Sequence, residues 1–255
     1  MTFFRKNGEG NEMSIGYNVL FAVACCLFGY LVGSIPNGIL IGHIFFHDDP
    51  RKYGSHNSVG TNTGRVFGKK IGIITIVMDA LKTTLVYWVI WAILSFSQIR
   101  ETITLWDDGI FYNYLALFFA ALGHCFSPWL KFQGGKAVAC FAGAAYGTSW
   151  LSSIFGILTF FPLFKKTKIM SISTLTLSAA TALFEWLMYG ITIWSQNKLT
   201  YFMWNFGAGP LPYGGNFFGW EQASVLSAIC VLVWIRHASN IDRIKHGQEK
   251  KVDWK

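Results

Sequence analysis

Apolar residues along this chain gather into long blocks separated by short polar loops. The blocks lie near 17–46, 71–96, 110–130, 170–195 and 221–236, and about 20 consecutive apolar residues are enough for a helix to cross the hydrocarbon core of a bilayer. A sixth block, AVACFAGAAYGTSWLSSIFGILTFFPLF at 137–164, has an ambiguous length. It fits one tilted helix, or a hairpin of two short helices turning near Gly147 to Ser153.

Charge decides between the two, because cytoplasmic loops carry the excess of Lys and Arg. With a hairpin there are seven spans, the N-terminus lies outside, and the segments 47–70, 131–136, 165–169 and 236–255 face the cytoplasm. Those segments hold 16 of the 21 Lys and Arg residues. With a single span the last two segments move outside and the asymmetry largely disappears. The pattern therefore predicts an all-α membrane protein of seven transmembrane helices, two of them short, with its C-terminus cytoplasmic. Each short arm would have about 14 residues and a length of about 21 Å, less than the roughly 30 Å core, so the arms are expected to lean on their neighbours. The expected organisation is a polar extension over 1–13, one polytopic domain over 14–246, and a basic cytoplasmic tail over 247–255.

Composition agrees with this. The chain is 53% hydrophobic and only 13% charged, well below the charge content of soluble domains. Its first 13 residues are too polar for a signal peptide, so the first apolar block is expected to stay as a span. The five cysteines lie in or beside apolar blocks without CxxC spacing, so neither a disulfide framework nor a metal site is implied. A net charge of +8 suits anionic lipid and anionic substrates alike.

Three segments on the predicted cytoplasmic side carry candidate chemistry. The first is GSHNSVGTNTGRVFGKK at 54–70, preceded by the helix-breaking GSIPNGILIG at 33–42. Ser55, Asn57, Thr61 and Asn62 offer short polar groups, Gly54, Gly60 and Gly64 let backbone come close, and Arg65 can grip two oxygens at once, a set suited to phosphate. No GxxxxGK[ST] occurs, which argues against a nucleotide loop. The second segment is GHCFSPWLKFQGGKAVA at 123–139, where Gly134, Gly135 and Lys136 are expected to open a helix with free N–H groups and a mobile ammonium. His124, near the end of the third span, is a candidate substrate ligand or a structural histidine. The third segment is RHASNIDRIKHGQEK at 236–250, with Arg236, His237, Asn240 and Arg243 at helical spacing. Inside the second block, Asp79 and Lys82 lie one turn apart, and intramembrane charge marks a candidate site.

With these segments in order, the chain resembles the membrane glycerol-3-phosphate acyltransferases that use acyl phosphate as donor. The runs GSIPNG…LIG, GSHN..GTN.GR.FGKK.G, the Asp79/Lys82 pair, GH.F…KF.GGKAVA and RH..NI.R...G.E carry the resemblance from Gly29 to Lys250. It implies a bacterial inner-membrane enzyme whose active site faces the cytoplasm and which acylates the sn-1 hydroxyl of glycerol 3-phosphate, giving lysophosphatidic acid and phosphate. It further implies no cofactor, metal or nucleic acid, contact with membrane lipids, and a functional link to an acyl-phosphate-producing enzyme. By the same resemblance Ser55, Asn57, Thr61, Asn62, Arg65, Gly134, Gly135 and Lys136 bind phosphate, while His237 and Asn240, with Ser55, serve catalysis. Asp79, Lys82, His124 and Arg236 are candidate supporting residues. Five positions depart from the family: Val59-Gly60 stands where Gly-Ala is usual, Ser127 replaces a proline, and Gln133 and Ala137 replace the Lys and Gly that flank GGK.

An acyl phosphate is an activated mixed anhydride, so transfer needs two oriented anions, a stabilised oxyanion and a proton acceptor. His237 or a phosphate oxygen of the donor can fill the last role, and the abundance of neutral donors in these loops favours the phosphate. The HxxxxD pattern of another acyltransferase family occurs at His43/Asp48 and His237/Asp242. Residues five apart on a helix lie about 140° apart, which argues against either pair acting together. A transporter of a phosphorylated solute is the alternative, with Asp79 and Lys82 as its midplane groups.

Overall fold

The structure, a computed structural model, describes residues 8–103, 110–195 and 219–252. The expectations for 1–7, and for nearly all of the segment 196–220, lie outside these. Among the described residues the regular structure is helical: α1 (Gly8–Ser34), α2 (Asn37–Ile41), α3 (Gly60–Phe67), α4 (Lys69–Phe96), α5 (Ile99–Thr102), α6 (Ile110–Cys125), α7 (Val138–Thr148), α8 (Trp150–Thr167), α9 (Met170–Trp194), α10 (Trp220–Arg236) and α11 (Ala238–Lys245).

Among the described residues two helical stretches, Ile15–Ser34 and Lys69–Phe96, are long and apolar enough to cross a membrane, and the pair α10 and α11, bent by 59°, makes a third if counted as one span. This is fewer than the seven expected from the apolar blocks. Helices α6 and α7, with 16 and 11 residues, fall short on length, and α9 falls short because its buried face carries Ser171, Thr174, Ser178, Thr181, Glu185 and Thr192 at helical spacing. Those groups lower its hydropathy while facing protein rather than lipid. The outward faces of the helices are apolar, with Leu20, Leu27, Leu183 and Val231 all exposed.

Helix α1 packs along α6, α4 against α7, and α8 against α9. The first contact depends on Gly29 and Gly33: a Cβ at these positions would sit 2.3 Å from the Ala116 carbonyl oxygen and 2.0 Å from that of Ala120. Small residues four apart let membrane helices approach this closely. Helix α1 then stops at Ser34, and Pro36, which cannot donate a backbone hydrogen bond, precedes α2.

The sixth block breaks at Ser149, whose extended backbone and side chain cap α8 through the Ser152 N–H. The arms are unequal, 11 residues in α7 and 18 in α8, not the matched pair expected. They nevertheless form a hairpin, because Lys136 just before α7 and Ser171 just after α8 both bond Asn240. That contact gathers the start of α7, the start of α9 and the end of α10 at one end of the bundle.

Candidate active site

At that end the chain makes three connected constructions. The first is the loop before α3. Asn62 is 0% exposed, and its amide donates to the carbonyls of Pro50, Tyr53 and Asn57 while its Oδ1 accepts from the Ser55 N–H. Every side-chain hydrogen bond made by Asn62 closes its own loop, so Asn62 shapes the segment expected to bind phosphate. Gly54 has φ +67°, and a Cβ there would lie 2.3 Å from Asn62 Oδ1, so glycine is required for the clamp. Gly60 and Gly64 pack against Gly72 of α4, bringing two helices together rather than backbone to a ligand. Ser55 is exposed, and Asn57, Thr61 and Arg65 are half-buried. Among the described residues no hydrogen bond joins Ser55 to His237 or Asn240.

The second construction is the GGK turn. Gly134 N–H donates to the Cys125 carbonyl at 3.0 Å and Gly135 N–H to that of His124 at 2.9 Å. Both groups are therefore engaged, and α7 begins only at Val138. This corrects the expectation that they would be free at a helix N-terminus. What the glycines supply is room: a Cβ on Gly135 would lie 2.1 Å from His124 Nε2 and 2.6 Å from Val59 Cγ1. The GGK turn thus meets the first loop at Val59. Arg236 fixes the turn from the other side, Nε to the Gly135 carbonyl and Nη2 to that of Gly134, both at 3.1 Å. Ala137 adopts φ 59°, a left-handed conformation that costs a non-glycine residue roughly 1–2 kcal/mol and accounts for glycine being usual there. Ser127, another departure, donates to the Ser34 carbonyl at 2.7 Å and ties the turn to the end of α1.

The third construction surrounds Lys136. Its ammonium donates to Asn240 Oδ1 at 2.5 Å. The Asn240 amide donates to Ser171 Oγ at 2.8 Å and to Glu249 Oε1 at 2.6 Å, and Arg243 Nε reaches Glu249 Oε2 at 2.7 Å. Both amide hydrogens and the carbonyl oxygen of Asn240 are thus used in linking Lys136 to Ser171 and Glu249. Burial pulls Lys136 down to about 8, with Arg243, Arg236 and Arg65 pressing the same way and Glu249 opposing them. Arg65 is therefore close enough to act electrostatically on the site. His237, in the turn between α10 and α11, donates from Nδ1 to the Val233 carbonyl at 2.8 Å. A carbonyl only accepts, so the neutral ring keeps its lone pair on Nε2. Burial, followed by the Lys136 charge, holds this histidine down at about 4. Asp242 stands 3.6 Å from His246, which leaves the HxxxxD pairing at His237 unformed.

Beneath these lies the intramembrane group. Lys82 Nζ contacts Asp79 Oδ1 at 2.9 Å, the Ile35 carbonyl at 2.8 Å and His124 Nδ1 at 3.1 Å, and Asn37 donates to Asp79 Oδ1 at 3.0 Å. Lys82 thus ties down a carbonyl at the α1/α2 break. Sequence reasoning gave Asn37, Ser171 and Glu249 no role. Glu249 is the last letter of the G.E run, whereas nothing in the sequence singles out Ser171.

A helical bundle with apolar outer faces and a cationic, hydrogen-bonded cluster at one end is the architecture of a membrane protein. A sequence model of the family described as glycerol-3-phosphate acyltransferase matches residues 23–247. The chain is 34% identical over 226 residues to a glycerol-3-phosphate acyltransferase of Bartonella henselae, covering 89% of each. It is 31% identical to one of Lactiplantibacillus plantarum, again over 89% of each. Among solved structures, that of PlsY (YgiH), an integral membrane glycerol 3-phosphate acyltransferase, in its glycerol 3-phosphate form superposes with a TM-score of 0.70 at 24% identity, over 91% of this chain and 96% of that one. The lysophosphatidic acid form gives 0.68 at 23% identity. The chain belongs to the glycerol-3-phosphate acyltransferase family.

Proposed function

We propose that this protein transfers a fatty acyl group from acyl phosphate to the sn-1 hydroxyl of glycerol 3-phosphate, giving lysophosphatidic acid and phosphate. The observation that carries this reading is the Lys136–Asn240–Ser171–Glu249 network, which fixes an ammonium at the end of the bundle where Arg65, Arg236 and His237 also gather. Two substrates that are both phosphate anions need such a cluster.

In the mechanism, Lys136 and Arg65 hold the phosphates, and Arg236 keeps the GGK turn in register. The Nε2 lone pair of His237 accepts a hydrogen bond from the sn-1 hydroxyl and aims its oxygen at the acyl carbonyl carbon. The new ester C–O bond forms, the C–O bond to phosphate breaks, and the hydroxyl proton leaves on a phosphate oxygen of the donor. A histidine held near 4 accepts a hydrogen bond but retains a proton poorly at neutral pH, so the donor phosphate is the better terminal acceptor.

The same reading places seven crossings in a bacterial inner membrane, N-terminus outside, with this end of the bundle cytoplasmic. It is supported by the hairpin at Ser149 and by the excess of Lys and Arg in the segments gathered there. The test uses purified protein in detergent with radiolabelled glycerol 3-phosphate. Label should enter extractable lipid with acyl phosphate as donor, without ATP or added metal, and not with acyl-CoA. Equal incorporation from acyl-CoA overturns the donor assignment, and vesicle uptake of unmodified glycerol 3-phosphate without lipid formation points to the transporter.

A further inference from the structure

We propose that His124 is a substrate-contacting hydrogen-bond donor whose tautomer is set by Lys82. This rests on the acyl-transfer reading and adds a donor on the membrane side of the same site.

The argument begins with Lys82. Its three contacts, Asp79 Oδ1, the Ile35 carbonyl and His124 Nδ1, match the three hydrogens of an ammonium, which has no lone pair to accept with. His124 Nδ1 must therefore accept, so the neutral ring carries its proton on Nε2. The second partner of a histidine fixes which nitrogen works in this way. His237 is held in the opposite tautomer by Val233, so the two rings present one Nε2 donor and one Nε2 acceptor.

Where the His124 donor lies follows from Gly135. The ring is 8% exposed, and Nε2 abuts the space that a Cβ on Gly135 would fill, beside Val59. That is where the phosphate-binding loop meets the GGK turn, one residue before Lys136. Among the described residues Nε2–H takes no hydrogen bond, and it is not one of the fully enclosed side-chain atoms left without a partner, so an incoming acceptor can reach it. An acceptor oxygen of a bound substrate, phosphate or acyl carbonyl, would complete it.

Two substitutions separate the nitrogens. Gln places an amide near Nε2, whereas Asn places one near Nδ1 and can only satisfy Lys82. We expect His124→Gln to stay within about threefold of wild type. His124→Asn should lose about 10²- to 10³-fold in kcat if the partner is the carbonyl oxygen, the usual cost of a missing oxyanion donor. If the partner is a phosphate, the KM of whichever substrate carries it should rise instead. Activity kept by Asn and lost by Gln, or kept by both, overturns the proposal.

Nitrogen-15 histidine spectra of the purified protein give a readout that does not depend on turnover or on folded variants. The His124 signal, assigned by its absence in His124→Gln, should report the Nε2-protonated tautomer and move on adding glycerol 3-phosphate or a non-hydrolysable acyl phosphate analogue. A double variant, Asp79→Asn with Lys82→Met, which leaves no lone buried charge, should relax the tautomer preference. An Nδ1-protonated ring in wild type, or no response to either ligand, contradicts the assignment even if acyl transfer itself is demonstrated. Absence of acyl transfer with the spectral response intact would instead count against the reaction.

Discussion

Replacing Lys136 by Met removes the ammonium while keeping most of the side-chain volume. In the structure one of its three hydrogens goes to Asn240, so two remain for substrate. A charge-assisted hydrogen bond contributes roughly 1.5–3 kcal/mol net, and at about 1.4 kcal/mol per tenfold its loss should lower kcat/KM about 10- to 150-fold. The pH dependence sharpens the test. Burial brings this lysine down to about 8, so the charged form is present below that pH and is lost above it. Wild-type kcat/KM, which reports the free enzyme, should fall as pH rises through about 8. The limb in kcat should lie higher, because a bound phosphate favours the ammonium. Lys136→Arg keeps its charge at every accessible pH and should abolish that limb even if its geometry lowers the rate. The assay is initial-rate acyl transfer from pH 6 to 10 with detergent-purified protein. Wild-type kcat/KM in Lys136→Met, or an unchanged limb in Lys136→Arg, would refute the placement of this ammonium on substrate.

Three further outcomes are expected. His237→Gln, which puts an acceptor near Nε2, should retain substantial kcat, while His237→Ala should lose about 10²-fold or more; loss of turnover in Gln with binding intact would make His237 the base. Gly135→Ala, whose methyl would press within 2.1 Å of His124 Nε2, should cost about 100-fold in kcat/KM through displacement of the GGK turn, and unaltered kinetics would show that the turn has slack. In a background without native thiols, a cysteine at Ser153 should react with an impermeant reagent from outside and one at Lys166 should not; outside labelling at Lys166 would eliminate the hairpin topology.

The sequence displayed the features that depend on local chemistry. Pro36 broke the first block, the Ser-rich stretch around Ser149 turned the sixth, and the basic residues marked the end of the bundle where the site forms. What it hid depends on direction and distance. Asn62 has the composition of a phosphate ligand, yet it faces inward because Gly54 curls the loop around its amide. Gly134 and Gly135 look like a free helix start, but the way α6 ends places two carbonyls opposite their N–H groups. Ser171 and Glu249 lie 78 positions apart in the chain and are joined by a hydrogen bond, a contact with no local signature. The arms of the hairpin differ in length because the Ser149 cap sets one boundary while α8 runs on through Lys165 and Lys166 to Thr167.

The central claim is direct acyl transfer between two anions held together at one end of the bundle. Acyl phosphate labelled in its phosphate and glycerol 3-phosphate labelled in its glycerol, mixed with purified protein, test it in a single reaction. The account predicts that phosphate release requires glycerol 3-phosphate and equals the lysophosphatidic acid formed, mole for mole. Stoichiometric phosphate release from acyl phosphate alone, or consumption of acyl phosphate without any acylated glycerol 3-phosphate, would contradict it.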